Sequence, residues 1–386
     1  MDFTKKHILI LDGCARQSLP FMRAFRELGC EITIYCHSKL DCGYVSRFPN
    51  HRIVGKCSVD EKEKTEQEIT RLIQTGKFDL VLPIIETTVT FLAQNKDELS
   101  KYAYIAVSDK YALEIAQDKY KVMEICTSND IPCAKTIFNA NSVDDVLSSG
   151  IPFPIIIKPR SSYGAMGFKI FRNAGEFRNF VSERKIDLNK MVVQECIPED
   201  SLVVSDNIFI DRYGNIKSSF LYGCKRVFPV HGGTGCLNVT FNRPEIHENC
   251  AKLVKMVGLR GCVGVDLMID SRDNVAKIIE INPRILAGAR IGFLAGVNQA
   301  QQLLEDAFED AVTTMMEYKN DIRTRMSQID VLWFIKSSNR FIADPSWFSN
   351  KNTKDQMFSW DDPLPWVAFL IQGVLKLKKK MRDRNQ

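Results

Sequence analysis

The chain has 386 residues, of which 45% are hydrophobic and 26% are charged. This length predicts two or three packed units, and the composition is that of an ordinary globular protein. The formal net charge is +5, but residues 376–386 hold six basic side chains and one acid, so the other residues carry 46 charges of each sign. A balanced body argues against a general nucleic-acid-binding face.

Twelve cysteines and five histidines are scattered along the chain, with no C-x-x-C pair. This distribution predicts a reduced, cytoplasmic protein and disfavours a zinc site. The first apolar run is short and is interrupted by Asp12, so we expect no signal peptide. A later apolar run, WVAFLIQGVL, has half the length of a membrane span.

The first hundred residues alternate strand and helix patterns. Strands are predicted in HILILDG, CEITIYC, FDLVLPIIE and YAYIAV, with helices in SLPFMRAFRELG and TVTFLAQNKDEL. This alternation predicts a doubly wound parallel sheet, although the turn DGCARQS lacks the G-x-G-x-x-G spacing of a dinucleotide site. Ligands of such sheets bind beyond the strand carboxyl ends, where Glu86 lies. Glu86 may equally be read as a charge at a helix N-terminus that Thr87 or Thr88 caps.

A long helix is predicted over residues 109–130, and a β-rich part of the chain follows it. IIIKP and VVQECI read as strands, and the turns RYGN and DSRDN read as the ends of two hairpins. One further helix is predicted in PEIHENCAKLVKMVG, between these hairpins. The second half of the chain is therefore expected to be α+β.

The stretch KIIEINPRI places polar side chains at alternate positions of an apolar strand. Glu280 and Asn282 point to one face, Arg284 follows Pro283, and Asp266 lies on the partner strand. A carboxylate in a strand is costly to bury without a counter-charge. Oxygen donors from two strands, beside a guanidinium, suit Mg²⁺ with a phosphate. The alternative is a plain buried pair between Asp266 and Arg284, which leaves Glu280 unexplained.

A second cluster is found in IIIKPRSSYGAMGF. Lys158 ends a β-branched strand and precedes a loop of small residues, whose backbone N–H groups could cradle phosphate oxygens. Many hairpin loops are rich in glycine, so this pattern alone is weak. Lys119, in AQDKYKV, reads by itself as a solvated helix lysine.

In chain order, DK…IPCAKT, IIIKPRSSYGAMG, VVQECI, HGGTG and VDLM…IIEINPRI resemble the ATP-grasp superfamily. The likeness is to single-module enzymes related to the large subunit of carbamoyl phosphate synthase, over residues 110 to 305. It implies an N-terminal pre-ATP-grasp α/β domain in residues 1–110 and a small lobe with the glycine-rich loop in 111–194. A large lobe with the metal site would follow in 195–305, and a C-terminal extension with the basic tail in 306–386.

The resemblance also implies roles for individual residues. The implied nucleotide-binding residues are Lys119, Lys158, Ser161, Ser162, Gly164, Gly167, Glu195, Cys196, Ile197 and His231. The implied metal ligands are Asp266, Glu280 and Asn282, holding two Mg²⁺ ions or Mn²⁺ in their place. Lys158 and Arg284 would act in catalysis, with Arg284 stabilising an acylphosphate and its transition state. Ser201 stands where the family usually has a ribose-binding glutamate, so that contact would pass to Glu199 or Asp200.

The activity that the resemblance implies is ATP-dependent ligation of a carboxylate to an amine or a thiol, with release of ADP. A small-molecule kinase and a nucleotide-binding protein without turnover remain alternatives. The complete carbamoyl phosphate synthase reaction is disfavoured because it needs two modules. Biotin carboxylase is disfavoured because EINPRI lacks the glutamate–histidine continuation of that family.

Substrate contacts are expected where the N-terminal domain faces the ATP site. The candidate residues are Glu86, Arg226, Arg284 and Arg290. The expected partners are small carboxylates and amines, and a homodimer is left open. The basic tail is either a peripheral membrane contact or the solvated end of a docked amphipathic helix.

Overall fold

The computed structural model describes residues 2–56, 61–161, 167–230 and 233–384, with side chains described up to residue 375. Among the helices so described, none is long and apolar enough to cross a membrane. The strands form three sheets of five, four and seven strands, which follow one another along the chain.

The first sheet is parallel, with strand order β3-β2-β1-β4-β5, as the alternating pattern predicts. Its strands are β1 (His7–Ile10), β2 (Glu31–Cys36), β3 (His51–Val54), β4 (Leu80–Leu82) and β5 (Tyr104–Ile105). Its helices are α1 (Ser18–Glu27), α2 (Cys42–Val45), α3 (Lys62–Gln74), α4 (Glu86–Gln94) and α5 (Lys96–Leu99). The aliphatic residues of β1 and β2 are fully buried, because helices cover both faces of a parallel sheet.

The prediction of one long helix over residues 109–130 is wrong. The structure has two helices there, α6 (Lys110–Gln117) and α7 (Lys119–Ser128). Asp118 separates them with an extended backbone and caps α7, because its carboxylate accepts the backbone N–H groups of Tyr120 and Lys121. An aspartate in a helical pattern can stop one helix and start the next, since its side chain replaces a missing backbone acceptor.

The second sheet has the order β6-β9-β7-β8 and forms a small lobe. Its strands are β6 (Thr136–Ile137), β7 (Ile155–Pro159), β8 (Lys169–Phe171) and β9 (Met191–Glu195), with helices α8 (Val143–Ser148) and α9 (Ala174–Arg184). Phe171 and Phe177 are buried between this sheet and α9, with their rings 5.3 Å apart. Lys158 therefore lies at the end of a central strand whose other residues are anchored in a separate apolar core.

The third sheet is largely antiparallel, with the order β14-β13-β10-β11-β12-β15-β16. Its strands are β10 (Leu202–Ile210), β11 (Ile216–Phe228), β12 (Thr234–Phe241), β13 (Gly261–Ile269), β14 (Ala276–Asn282), β15 (Arg323–Arg325) and β16 (Thr353–Asp355). The two predicted hairpins are confirmed as β10–β11 and β13–β14. Helix α10 (Pro244–Val257) packs its apolar face on this sheet, together with α6 and α7.

The remaining helices are α11 (Arg290–Ala295), α12 (Gln299–Phe308), α13 (Ser327–Lys336) and α14 (Leu364–Arg384). The chain after residue 306 returns to the large sheet, because β15 pairs with β12. It also reaches the N-terminal sheet, where the buried carboxylate of Asp362 accepts hydrogen bonds from Ser46 Oγ at 2.6 Å and Arg47 N at 3.0 Å. One apolar core accordingly contains residues from both ends of the chain, including Phe21, Leu303 and Met357.

Candidate active site

The hairpin β13–β14 brings together the acidic side chains that the sequence singles out. Asp266 stands directly opposite Glu280, and Gly264 stands opposite Asn282. Asn282 Nδ2 donates to Asp266 Oδ2 at 2.8 Å, and Ser205 Oγ, on β10, donates to Asp266 Oδ1 at 2.5 Å. Ser205 was not predicted, since a serine in an apolar strand has no pattern that marks it before the strand order is known.

Arg284 follows β14 and turns back to it. Its Nη2 donates to Asn282 Oδ1 at 2.9 Å, and its backbone N–H donates to the Asn282 carbonyl at 2.7 Å. Its Nε lies 3.9 Å from Glu86 Oε2, at the start of α4. Arg284 therefore joins the hairpin to the carboxyl edge of the N-terminal sheet, where Glu86 was expected.

Glu86 is held in place by a residue that the sequence did not single out. Asp12, buried at the end of β1, accepts hydrogen bonds from Ile84 N at 2.9 Å, Ile85 N at 3.0 Å and Thr88 Oγ1 at 2.5 Å. These bonds fix the turn into α4. Gln117 Nε2, at the end of α6, donates to Glu86 Oε1 at 3.3 Å.

The two predicted lysines meet at the same site from different elements. Lys119 Nζ lies 3.3 Å from Glu280 Oε2, and Lys158 is buried beside both groups. A clamp brings α7 to the end of β7: Arg160 donates to Asp118 at 3.1 and 2.7 Å, and Lys119 N donates to the Arg160 carbonyl at 3.0 Å. Neither residue of this clamp was predicted.

Burial and mutual charge shift the pKa values of this cluster. Burial and the nearby charge of Glu280 raise the pKa of Asp266 to about 6. Burial lowers the pKa of Lys158 to about 8, with Lys119 acting in the same direction and Glu280 opposing it. Burial also raises the pKa of Glu86, against the attraction of Arg284. Strained charges of this kind mark a site that binds charged ligands.

The residues present fit a divalent metal ion. Asp266 and Glu280 are adjacent carboxylates whose repulsion a cation would relieve, and Asn282 adds an amide oxygen. The described residues contain no group of three or more His, Cys, Asp or Glu side chains that could hold a metal ion, either at this site or elsewhere. Two carboxylates with one amide suit Mg²⁺, which takes few protein ligands and completes its shell with water and phosphate oxygens.

Among the other predicted residues, Glu195 is engaged in local ion pairs. The Glu195 carboxylate accepts Arg272 Nη2 at 2.7 Å and lies 3.5 Å from Lys277 Nζ. Although burial acts to raise the pKa of Glu195, the backbone N–H of Lys135 and Arg272 lower it below its usual value. A nucleotide bound by Glu195, as the resemblance implies, would share its carboxylate with these two cations.

Arg226 and Arg290 also bond to other residues of the fold. Arg226 is buried and forms two bonds with Asp330, at 2.7 and 3.0 Å. Arg290 Nη1 donates to the Phe358 carbonyl at 3.2 Å, and the residue lines a cavity of about 300 Å³ with Arg23. Their expected contact with a substrate remains a prediction.

The remaining predicted residues are those of the glycine-rich loop, His231, Cys196 and Ile197. Ser162, Gly164 and His231 lie outside the described residues. Of the loop ends, Ser161 is exposed, and Gly167 has a φ of +81°, which favours glycine. Ile197, which follows β9, is buried, and Cys196 N donates to the Pro154 carbonyl at 3.0 Å.

Comparison with known proteins gives a consistent family. Residues 116–288 match the model of the ATP-grasp domain. A curated relative, the D-aspartate ligase of Enterococcus faecium, is 24% identical over 237 residues, which are 56% of this chain. The match spans 55% of the length of that ligase.

Solved structures show the same fold at low identity. The biotin carboxylase of Campylobacter jejuni superposes with a TM-score of 0.69 at 15% identity, over 82% of this chain and 74% of that one. The biotin carboxylase domain of a 2-oxoglutarate carboxylase from Hydrogenobacter thermophilus, solved with MgADP, gives 0.66 at 16% identity, over 82% and 73%. Residues 116–288 therefore match the ATP-grasp domain, and the chain that contains them has the fold of these biotin carboxylases.

Proposed function

We propose that this protein is an ADP-forming ligase that joins a carboxylate to an amine, with ATP as a substrate. One observation carries the proposal: Lys119, Lys158 and Arg284 converge from three elements on the Asp266–Glu280 pair. Phosphoryl transfer requires neutralised phosphate oxygens and in-line positioning rather than a reactive side chain. Three cations around an acidic metal-type pair supply that environment.

Each side chain then has a defined task. Lys119 and Lys158 bind phosphate oxygens, and Asp266, Glu280 and Asn282 would hold Mg²⁺. When bound, the ion neutralises charge on the phosphates. Arg284, which lies 3.9 Å from Glu86 and contacts Asn282, is placed to pair with the substrate carboxylate or its phosphate.

The proposed reaction has two steps. An oxygen of the carboxylate attacks the γ-phosphorus of ATP, the bond to the bridging oxygen breaks, and ADP leaves. The amine lone pair then attacks the acyl carbon of the resulting acylphosphate, phosphate leaves with its bonding electrons, and the amine loses a proton. Arg284 stabilises the charge that develops on the phosphate in both steps.

The test is release of ADP by the purified protein with Mg-ATP and a panel of carboxylates, each with and without amines. Because a relative is a D-aspartate ligase, aspartate is the first acid to try. We expect release that requires both partners and falls about 100-fold or more in Glu280→Ala, since the metal-type pair is lost. The matched control is Glu245→Ala, an acid paired with Arg243 on the surface of α10.

The alternatives give different results in the same assay. Release with an acid or alcohol alone, and a phosphorylated product, would indicate a kinase. Tight ATP binding without turnover on any pair would leave a nucleotide-binding protein. Equal activity of Glu280→Ala and the control would contradict the assigned site.

A further inference from the structure

Arg16 is a partly buried cation that the site described above does not use. It lies in the turn between β1 and α1, and its Nε is buried without a hydrogen-bond partner in the described residues. No carboxylate of the described chain lies within ion-pair distance of it, although the charge of Asp355 acts on it from further away. An arginine buried without a bonded anion is costly in a folded protein. A ligand anion that bonds the guanidinium would offset this cost.

The position of Arg16 connects it to the proposed active site. The charges that act on it include the phenol of Tyr222, on β11. Tyr222 stands opposite Ser205, and Ser205 stands opposite Asp266, so the three share one face of the large sheet. Two strand spacings place Tyr222 about 10 Å from the metal-type pair. That separation exceeds the reach of a phosphate, so a second small molecule would be needed to span it.

Further buried polar atoms without hydrogen-bond partners lie next to Asp355, whose charge acts on Arg16. Both amide atoms of Gln356 are buried without hydrogen-bond partners among the described residues. Asp355 accepts Met357 N and Phe358 N on one oxygen and Ser327 N on the other, so its carboxylate is held by these backbone groups rather than by an ion pair with Arg16. The residues next to Arg16 on this side are thus polar, and Arg16 forms no ion pair with them in the described part of the chain.

We propose that Arg16 binds the carboxylate of an amine substrate that is itself an amino acid or a peptide. The inference rests on the proposed ligase function, which needs an amine beside the acylphosphate. The reacting acid occupies the Arg284 end of the face, and the amine substrate extends from there toward Tyr222. Its carboxylate pairs with the Arg16 guanidinium, which leaves the amino group directed back to the acyl carbon.

The first test measures binding, so it does not depend on turnover. The probes are aspartate, lysine and glycine, each beside the amine without the α-carboxylate: β-alanine, cadaverine and methylamine. We expect at least one amino acid to raise the Tm of the MgADP-loaded protein more than its matched amine. In Arg16→Gln the difference disappears, and in Arg26→Gln, an exposed arginine of α1 bonded to Asn50, it persists. Equal shifts for every pair, or an unchanged difference in Arg16→Gln, would overturn the assignment.

A second measurement distinguishes a ligand-binding arginine from a structural one. Without ligands, Arg16→Met should raise the Tm, because an unpaired buried charge is replaced by an apolar side chain of similar length. A lower Tm would show that Arg16 is structural. With an active substrate pair, Arg16→Gln should raise the KM for the amine about 10- to 100-fold and leave the KM for ATP unchanged. Turnover with an unchanged amine KM would overturn the Arg16 assignment while the ligase function stands.

Helix α14 carries a second, independent feature, an apolar face without a partner. Six aliphatic residues are 38–57% exposed at helical spacing on this outer face: Leu364, Val367, Leu370, Ile371, Val374 and Leu375. The opposite face packs on the body through Ala368 and Phe369, and Gln372 Nε2 donates to the Leu40 carbonyl at 3.1 Å. The outer face is therefore additional to the face that docks the helix.

Other apolar side chains of the same part of the chain are also exposed. Trp360 is 90% exposed and Ile342 is 81% exposed, and Phe341, Phe348 and Ile335 are more than half exposed. Trp366 Nε1 donates to Ser327 Oγ at 2.9 Å, which ties the start of α14 to the start of α13. Exposed apolar groups in this number are uncommon on a monomer and mark an interaction surface.

The charge that follows selects the partner. The backbone of α14 continues to Arg384, and residues 376–386 contain six basic residues and one acid, whereas the rest of the chain is neutral overall. An apolar helical face continuous with a basic run matches the acyl and headgroup layers of an anionic bilayer. We propose that the outer face of α14 lies on an anionic phospholipid surface, with the basic run on the headgroups.

Co-sedimentation of the full chain with vesicles tests this proposal. The vesicles are pure phosphatidylcholine, or phosphatidylcholine mixed with phosphatidylglycerol. We expect binding to the mixed vesicles, weakened about 100-fold in the triple variant Lys378→Ala, Lys379→Ala, Lys380→Ala, at roughly 1 kcal/mol for each lysine. Val367→Ser with Ile371→Ser should also weaken it. Tyr213→Ser with Met256→Ser, exposed residues away from α14, should not.

Three results would contradict the membrane surface. These are equal binding to both vesicles, no binding to either, and loss of binding in the control variant. A solution dimer that Val367→Ser with Ile371→Ser dissociates would assign the outer face to a second copy of the chain instead.

Discussion

Lys158 shows how the fold prepares a side chain for an anionic ligand. It is only 8% exposed. Within the described residues its ammonium forms no ion pair, and the opposite charge that acts on it is that of Glu280. Its ammonium is therefore held in a place where its own charge is disfavoured. In the proposed function a phosphate oxygen would supply the missing interaction, and the unfavourable charge of the free protein would become binding free energy.

This arrangement predicts a pH dependence of stability. The pKa of Lys158 falls from 10.5 in the unfolded chain to about 8 in the folded one, so between these pH values the unfolded state binds more protons. The free energy of unfolding contributed by this group should therefore rise with pH from 8 to 10.5, by at most about 3 kcal/mol. Urea unfolding across this range, compared with Lys158→Met, measures the difference.

The check on that experiment is the sign of the stability difference between Lys158→Met and the wild type. Lys158→Met should be more stable than the wild type at pH 7, and the gap should close by pH 10.5. With MgADP present the wild type should be favoured instead, since the phosphates pair with the charged lysine. A constant gap at all pH values would show that Lys158 is not strained by its charge.

At the scale of elements, one clamp sets the distance between the two lysines. Lys119 starts α7 and Lys158 ends β7, and these elements belong to different packing units. Arg160 bonds the carboxylate that caps α7, and its carbonyl accepts Lys119 N. Its guanidinium also lies 4.3 Å from the ring centroid of Tyr120. The side chains of the clamp have no proposed catalytic role, yet the clamp fixes the spacing of the two lysines that we propose to bind phosphate.

Arg160→Ala tests the clamp. Loss of the two bonds to Asp118 should weaken ATP binding about 10-fold and lower the free energy of unfolding by about 1–2 kcal/mol. Calorimetric titration with ATP and urea unfolding measure the two effects. Lys190→Ala, in an exposed pair with Asp187 on the same lobe, should change neither quantity. An unchanged ATP affinity in Arg160→Ala would mean that Lys119 and Lys158 are positioned by other contacts.

At the scale of the molecule, the segment after residue 306 is part of the main fold. It adds β15 and β16 to the large sheet and buries Asp330 against Arg226 of β11. Arg325 Nε lies 3.2 Å from the same carboxylate, so two cations share one acid. Removal of one partner from a buried pair leaves an uncompensated charge, which costs more than an exposed pair contributes.

Asp330→Asn should therefore lower the free energy of unfolding by about 3–5 kcal/mol. Urea unfolding followed by tryptophan fluorescence measures this loss, since Trp333 lies against Arg226. Asp361→Asn, at the exposed pair with Arg23, should change it by about 1 kcal/mol or less. If Asp330→Asn were as mild as this control, Arg226 would be free to serve a substrate, as the sequence predicts.

Local sequence was sufficient for the elements whose signal is periodic or short-range. Alternating aliphatic strands and helices predicted the parallel sheet, and polar turns between apolar runs predicted both hairpins. The facing of Glu280 and Asn282 follows from the period of two in a strand, which holds between these two residues although the register shifts just before Glu280. The motif order likewise predicted the ATP-grasp fold.

Tertiary structure alone decided what depends on pairing between distant segments. Ser205 bonds Asp266 because β10 pairs with β13, and Arg160 reaches Asp118 because two packing units meet. The orphaned Nε of Arg16 and the pairing of Arg226 with Asp330 are likewise invisible in the local pattern. A sequence pattern reports the preference of a residue for a face or a turn, whereas its partner and its solvation are set by the packed fold.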